Sequence, residues 1–188
     1  MRIISGIAKG KKIFEPIDKQ TRPLKDMVRE SIFNIILHSN LLDKSLEECL
    51  ILDLFSGVGS FGLEAISRGA KKVVFYEDYG PAINLLTRNI DNLSFYDKTE
   101  IKRENVYNKK SFKSLNYNFD IVFIDPPFKE EKIKLLLSNL IRSKIINTKT
   151  LIIIHRNKKK IDEIASNFKI FRQELYGSSK IIFGGFIP

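Results

Sequence analysis

Ile51-Leu52-Asp53-Leu54-Phe55-Ser56-Gly57-Val58-Gly59-Ser60-Phe61-Gly62 is the stretch that decides how this chain folds. An apolar strand runs into a glycine-rich turn, and a helix follows through Leu63-Glu64-Ala65-Ile66. That order is the signature of a nucleotide-type cofactor loop. Working outward, apolar runs at 50–55, 72–77, 120–124 and 150–154 alternate with helix-like stretches near 60–68, 80–92, 129–142 and 159–167. Such βα repetition predicts an α/β fold with a mostly parallel sheet. A weaker strand at 99–102 precedes Glu104-Asn105. Lys169 to Gln173 and Ile181 to Phe186, joined through Tyr176-Gly177-Ser178-Ser179, read as an antiparallel hairpin closing the sheet.

The loop admits more than one ligand. Gly57, Gly59 and Gly62 match GxGxxG, the pattern of nicotinamide and flavin dinucleotide sites. Asp53 argues against a pyrophosphate, because a carboxylate close to the loop repels phosphate and attracts a cation. S-adenosylmethionine is such a cation, carrying a sulfonium and an ammonium. Asp53 bonded to loop N–H groups would be compatible with either ligand. Glu77 ends the run Val73-Val74-Phe75-Tyr76 and can accept from both hydroxyls of a ribose, which does not separate the two cofactors. Phe55 and Gly59 are counted with them as cofactor positions. Asn105 can bond an adenine edge or serve a plain turn.

Asp125-Pro126-Pro127-Phe128 follows the apolar run Ile121-Val122-Phe123-Ile124 and tips the balance toward a methyl donor. Two prolines fix φ and remove N–H donors, so the carbonyls of Asp125 and Pro126 can point into a pocket. An exocyclic amine suits that arrangement. If the Asp125 carboxylate and the Pro126 carbonyl each accept one amino hydrogen, the nitrogen lone pair is aimed out of the ring plane at an electrophile. Phe128 would stack on the ring. A strand stopped by prolines, with Phe128 in the core, is the plain alternative. His38 and His155 are not needed for this chemistry and read as structural or exposed.

Length and composition agree with one compact domain. The 188 residues, 43% apolar and 29% charged, can bury a core without a metal or a disulfide. The single cysteine, Cys49, precedes an apolar strand and reads as a core residue, in keeping with a reducing cytoplasm. No segment approaches the roughly 18 apolar residues of a membrane span, and Met1 to Phe14 lacks the apolar stretch of a signal peptide. A soluble cytoplasmic protein is expected. The net charge of +10, from 32 Lys plus Arg against 22 Asp plus Glu, favours polyanion partners. The chain is also rich in Ile, Lys and Asn, and Lys158-Lys159-Lys160 can be the solvated start of a helix. Location sharpens the reading. Arg2, Lys9, Lys11, Lys12, Lys19, Arg22, Lys25 and Arg29 crowd the N-terminal segment, a suitable surface for nucleic-acid phosphates. Arg2 to Phe14 reads as a small hairpin. Pro23 then opens an amphipathic helix whose apolar positions are Met27, Ile32, Phe33, Ile35 and Ile36, and Ser39 to Glu48 is the junction to the core.

The combination of Arg2-Ile3-Ile4-Ser5-Gly6, Thr21-Arg22-Pro23, Val28-Arg29-Glu30-Ser31-Ile32-Phe33-Asn34-Ile35, the Asp53-to-Gly62 loop, Ser67-Arg68-Gly69-Ala70 and Asp125-Pro126-Pro127-Phe128 resembles the bacterial 16S ribosomal RNA guanine-N2 methyltransferases. The likeness runs nearly the length of the chain. It implies a Rossmann-like class I methyltransferase with a seven-stranded sheet. A basic hairpin-helix extension would span residues 1–42 and contact RNA through Arg2, Lys9, Lys11, Lys12, Arg22 and Arg29. The methyltransferase domain would span 43–188. The implied reaction moves a methyl group from S-adenosylmethionine to the 2-amino group of one guanine, in 16S rRNA or a small-subunit assembly intermediate. By the same resemblance, Asp53, Gly57 and Glu77 match cofactor positions, Asn105 the adenine side, and Asp125 to Phe128 the catalytic element. Family members often have Asp where Asn105 stands and Ala where Ser56 stands. No metal is expected, and a monomer is. Two other classes remain open: a DNA adenine-N6 methyltransferase, for which 188 residues leave little room for target recognition, and an RNA-binding module without chemistry.

Overall fold

The structure, a computed structural model, describes residues 1–16, 24–108 and 110–187. Seven strands form one sheet: β1 (Leu50–Leu54), β2 (Lys72–Tyr76), β3 (Thr99–Lys102), β4 (Ile121–Ile124), β5 (Leu151–Asn157), β6 (Phe168–Tyr176) and β7 (Ser179–Phe186). Their order is β3-β2-β1-β4-β5-β7-β6. The first five strands pair in parallel, and β7 enters antiparallel between β5 and β6. The expected parallel sheet with a C-terminal hairpin is thus observed. Helices are α1 (Asp26–His38), α2 (Ser60–Ser67), α3 (Gly80–Leu93) and α4 (Ile133–Arg142).

The alternation of a strand separates the core into two layers, one on each sheet face. Ile51, Val73, Ile121 and Phe123 join one hydrophobic cluster, with Leu63 and Ile66 of α2, Leu86 and Ile90 of α3, and Ile32 and Phe33 of α1. Leu52, Leu54, Val74, Val122 and Ile124 join the other, with Leu136, Leu137 and Leu140 of α4. Strands covered on both faces explain the continuous apolar runs in the sequence.

The N-terminal hairpin is short: Ile3 N–H donates to Lys11 O at 2.9 Å, and Arg2 and Lys12 form an isolated bridge. It is fastened to α2 by Glu64, whose buried carboxylate accepts from Ile4 N at 2.8 Å and Ser5 N at 3.0 Å. Ser67 adds to the seam, its hydroxyl accepting from Ala8 N and donating to Ser5 O. The approach is so close that a Cβ on Gly6, at φ +85°, would lie 1.8 Å from Ser67 O. Ile3 and Ile13 of the hairpin share the first cluster with the sheet. In α1, Met27 is 63% exposed rather than on the packed face.

Two expectations change. Residues 159–167 contain no helix. Asn157 turns the chain instead, accepting Lys159 N on its side chain and Lys160 N on its carbonyl, and Asp162 is drawn onto Arg156. Ile161 is left 94% exposed, and Ile164 is partly buried against the second cluster without a helix. The helix expected from 129 starts only at Ile133. Glu130 N–H is taken by Pro127 O, and the Glu130 carboxylate accepts Glu131 N and Lys132 N, which makes a turn of that stretch.

Candidate active site

The strand order changes direction at β1, which has β2 on one side and β4 on the other. Ligands of open parallel sheets bind outside the carboxyl ends of the strands at such a point. Leu54 is in register with both Tyr76 and Ile124, so the residues that follow, Phe55, Glu77 and Asp125, emerge side by side. Asp125 N–H donates to Leu54 O at 3.3 Å across the gap.

The glycine loop owes its path to left-handed backbone. Phe55, Gly57 and Gly59 have φ of 59°, 54° and 81°. Gly59 caps α2, and beyond Gly57 a Cβ would meet nothing within 4 Å. Gly62 has a different reason to be glycine: a Cβ there would lie 2.3 Å from the Phe75 ring, so α2 packs directly on β2. Asp53, at the end of β1, accepts Gly62 N–H at 3.0 Å and is buried. Burial raises its carboxyl well above the usual range, and the nearby charges of Asp125 and Glu77 push the same way against the Gly62 hydrogen bond. Glu77 is turned toward the loop. It accepts Gly57 N–H at 2.7 Å through one oxygen, and Asp78 N–H and Tyr79 N–H through the other. Three carboxylates therefore converge at the carboxyl ends of β1, β2 and β4.

Phe55 is half-buried, its ring centroid 6.0 Å from that of Tyr107. Asn105 is exposed at the same end of the sheet. Its amide donates to Asp78 at 2.7 Å and accepts Tyr107 N–H at 2.9 Å, so it binds two loops together.

Pro126 is buried, Pro127 exposed, and Asp125 and Phe128 half-buried. Asp125 has a partner that the sequence reading set aside. Its carboxylate lies 2.7 Å from Nδ1 of His155, whose Nε2 lies 2.9 Å from the Ser179 hydroxyl. The Phe128 ring stands edge-on to the same imidazole at 5.8 Å. Arg156, also unflagged, has no exposed surface and organises the turn after Phe128. Its guanidinium donates to Pro127 O at 3.4 Å, to Glu130 O at 2.5 Å and to the Asp162 carboxylate at 2.7 to 3.0 Å. Both residues sit on β5, where Ile154 is in register with Ile124. Nothing local marks them, because the pairing of β4 with β5 is what sets them beside residues 125–130.

Of the basic candidates, Arg2, Lys9, Lys11 and Lys12 are exposed on the hairpin, and Arg22 lies outside the described residues. Arg29 is a correction: it is fully buried, donating to Arg2 O at 2.6 Å and Asp26 at 3.0 Å and lying 3.5 Å from Glu64. An arginine spent inside the seam between hairpin and α2 has no group to offer a phosphate. Burial lowers its pKa, with Glu64 and Asp26 opposing. Arg88, on α3, stacks its guanidinium 3.9 Å from the Phe14 ring centroid and adds a cation beside Lys12. Burial pushes the Cys49 thiol up to about 11, as suits a core residue. Among the described residues, no group of His, Cys, Asp and Glu could hold a metal ion, and no helix is long and apolar enough to cross a membrane.

The family described as Conserved hypothetical protein 95 matches residues 1–185. "Putative rRNA methyltransferase YlbH" of Bacillus subtilis (strain 168) is 31% identical over 184 residues, covering 94% of each chain. "Ribosomal RNA small subunit methyltransferase D" of Haemophilus influenzae is 30% identical over 182 residues, 94% of this chain and 89% of that one. The solved structure of "Putative methyltransferase yhhF from Escherichia coli" superposes with a TM-score of 0.78 at 26% identity, covering 99% of this chain and 97% of that one. The sheet is that of the Rossmann-like methyltransferases, and the chain belongs to the Conserved hypothetical protein 95 family.

Proposed function

We propose that this protein transfers the methyl group of S-adenosylmethionine to the exocyclic N2 of one guanine in 16S ribosomal RNA. One observation carries the reading: Asp125-Pro126-Pro127-Phe128 leaves β4 directly beside the glycine loop that leaves β1. An amine acceptor and a cofactor cradle would then lie side by side at the carboxyl end of the sheet. The names of the relatives, ribosomal RNA methyltransferases of nearly the same length, agree with it.

The residues present fit the cofactor. Burial first, and then the charges of Asp125 and Glu77, raise the Asp53 carboxyl, and the negative charge of Glu77 and Asp125 favours a cation and disfavours a pyrophosphate. The open space beyond Gly57 leaves room for a ligand to approach the backbone. Asp53, Phe55, Gly57, Gly59 and Glu77 would hold the cofactor, and Asn105, tied to Asp78 and Tyr107, would shape its adenine side. When bound, S-adenosylmethionine supplies an electrophilic methyl group on a sulfonium.

Guanine N2 is a poor nucleophile because its lone pair is delocalised into the ring. Asp125 and the Pro126 carbonyl, accepting its two hydrogens, favour pyramidalisation and in-line attack. After transfer the product amine loses one proton, directly or through Asp125. Phe128 holds the base by stacking. The base must first leave its own stack, which costs roughly a few kcal/mol. Phosphate contacts from Arg2, Lys9, Lys11 and Lys12 on the 1–42 segment offset that, while residues 43–188 carry the transfer. The setting is the cytoplasm, and the substrate is 16S rRNA or a small-subunit assembly intermediate.

The test incubates the protein and labelled S-adenosylmethionine with 16S rRNA, assembly intermediates, finished small subunits and duplex DNA, followed by nucleoside analysis. Labelled N2-methylguanosine from one of the ribosomal substrates is expected. Label in N6-methyladenine from DNA, or transfer to no substrate, would overturn the proposal.

A further inference from the structure

We infer that His155 is a positioning residue for methyl transfer, holding one oxygen of the Asp125 carboxylate so that the other is left for the guanine amino group. This rests on the reading of Asp125 as the amine acceptor. Parallel pairing of β4 and β5, with Ile124 beside Ile154, sets Asp125, just past the end of β4, next to His155 within β5. The imidazole is the inner of the two groups, 7% exposed against 20% for the carboxylate. An ionised carboxylate can only accept, so at 2.7 Å Nδ1 must carry the hydrogen. At 2.9 Å the Ser179 hydroxyl bonds Nε2, donating to it when the ring is neutral and accepting from it when the ring is protonated. In either state Nδ1–H holds Asp125 and the Ser179 hydroxyl holds the ring from its far side.

Among the described residues, Oδ1 is the oxygen of Asp125 that is engaged. Fixing that oxygen to a buried ring on a central strand removes the side-chain rotation that would otherwise let the acceptor miss the amine. The same ring meets Phe128 edge-on at 5.8 Å. His155 therefore references both ends of the Asp125-to-Phe128 turn to β5, the acceptor by a hydrogen bond and the stacking ring by contact.

Three substitutions separate this role from simple packing. The amide nitrogen of His155→Asn falls close to Nδ1 and can donate to Asp125, but it cannot reach Ser179. His155→Gln extends toward Ser179 instead, and His155→Ala reaches neither. A lost orienting hydrogen bond corresponds to about tenfold in rate. Single-turnover methylation of 16S rRNA at saturating cofactor should therefore stay within about threefold of the parent for Asn and fall by about tenfold or more for Gln and Ala. RNA and cofactor affinities should stay near parental values, so that kcat moves and KM does not. Imidazole ¹⁵N spectra of the parent give a readout independent of activity, with Nδ1 protonated. Near-parental rates in all three variants, better rescue by Gln than by Asn, or the opposite tautomer would overturn the role of His155 and leave the proposed function standing. A parent that methylates no ribosomal substrate would instead refute the function, and this inference with it.

Discussion

Arg156→Met should destabilise the protein by about 3 to 5 kcal/mol, the usual cost of leaving one member of a buried ion pair behind. The geometry supports the upper part of that range. Arg156 and Asp162 are 0% and 5% exposed, and the guanidinium spans both carboxylate oxygens at 2.7 to 3.0 Å. Removing it strands the carboxylate and also releases the carbonyls of Pro127 and Glu130. For a chain of this size each kcal/mol moves the midpoint by about 2 to 4 °C, so a loss of roughly 6 to 20 °C is expected in thermal unfolding. Arg156→Met combined with Asp162→Leu removes both charges and should recover most of the stability, because a buried pair is about as stable as a well-packed apolar replacement. Activity should not recover with it. The turn from Pro127 to Glu130 stays unheld in the double variant, so single-turnover methylation should remain slow while the fold is restored. A loss below about 1 kcal/mol in the single variant would refute the clamp, given that an unsatisfied buried group alone costs that much. Parental rates in the double variant would refute its link to the catalytic turn.

Asp125→Ala should lower kcat by on the order of a hundredfold with little change in either ligand's affinity, and Asp125→Asn, which keeps a carbonyl acceptor, by less; single-turnover assays decide. Burial first, then the charges of Asp125 and Glu77, keeps the Asp53 carboxyl well above its ordinary 3.8, so the folded protein retains a proton that the unfolded chain releases. Stability conferred by Asp53 is therefore lost as pH rises from 3.8 toward the raised folded value. Asp53→Asn should remove that decline, giving a protein more stable than the parent at neutral pH in urea titrations yet weaker for S-adenosylmethionine by calorimetry; an unchanged stability profile would contradict it. Neutralising Lys9, Lys11 and Lys12 together should weaken RNA binding and flatten its salt dependence without touching cofactor affinity, and an unchanged salt slope would show that the hairpin does not meet phosphate.

Local pattern was enough for much of this molecule. The apolar runs around 50–55, 72–77, 120–124 and 150–154 became β1, β2, β4 and β5 because a strand buried on both faces needs an uninterrupted apolar stretch. Gly57, Gly59 and Gly62, and the two prolines after Asp125, impose their geometry on their own backbone, so the turn after β1 and the break after β4 were readable from single residues. The same reasoning failed at 159–167, read as a helix in the βα alternation. There Asn157 captures the backbone N–H groups and Arg156 draws in Asp162, competing contacts that periodicity does not register. It failed again at Arg29, counted among surface cations by its place in a basic stretch but folded inward by Glu64 and Asp26. His155 and Arg156 were illegible for the most general reason. Their partners Asp125, Pro127 and Glu130 lie 30, 29 and 26 residues away, and only the parallel pairing of β4 with β5 brings them within reach. A chain states its local conformation in neighbouring residues, but which strand lies beside which is settled by burying every apolar face at once, and the inner partners of this site follow from that choice.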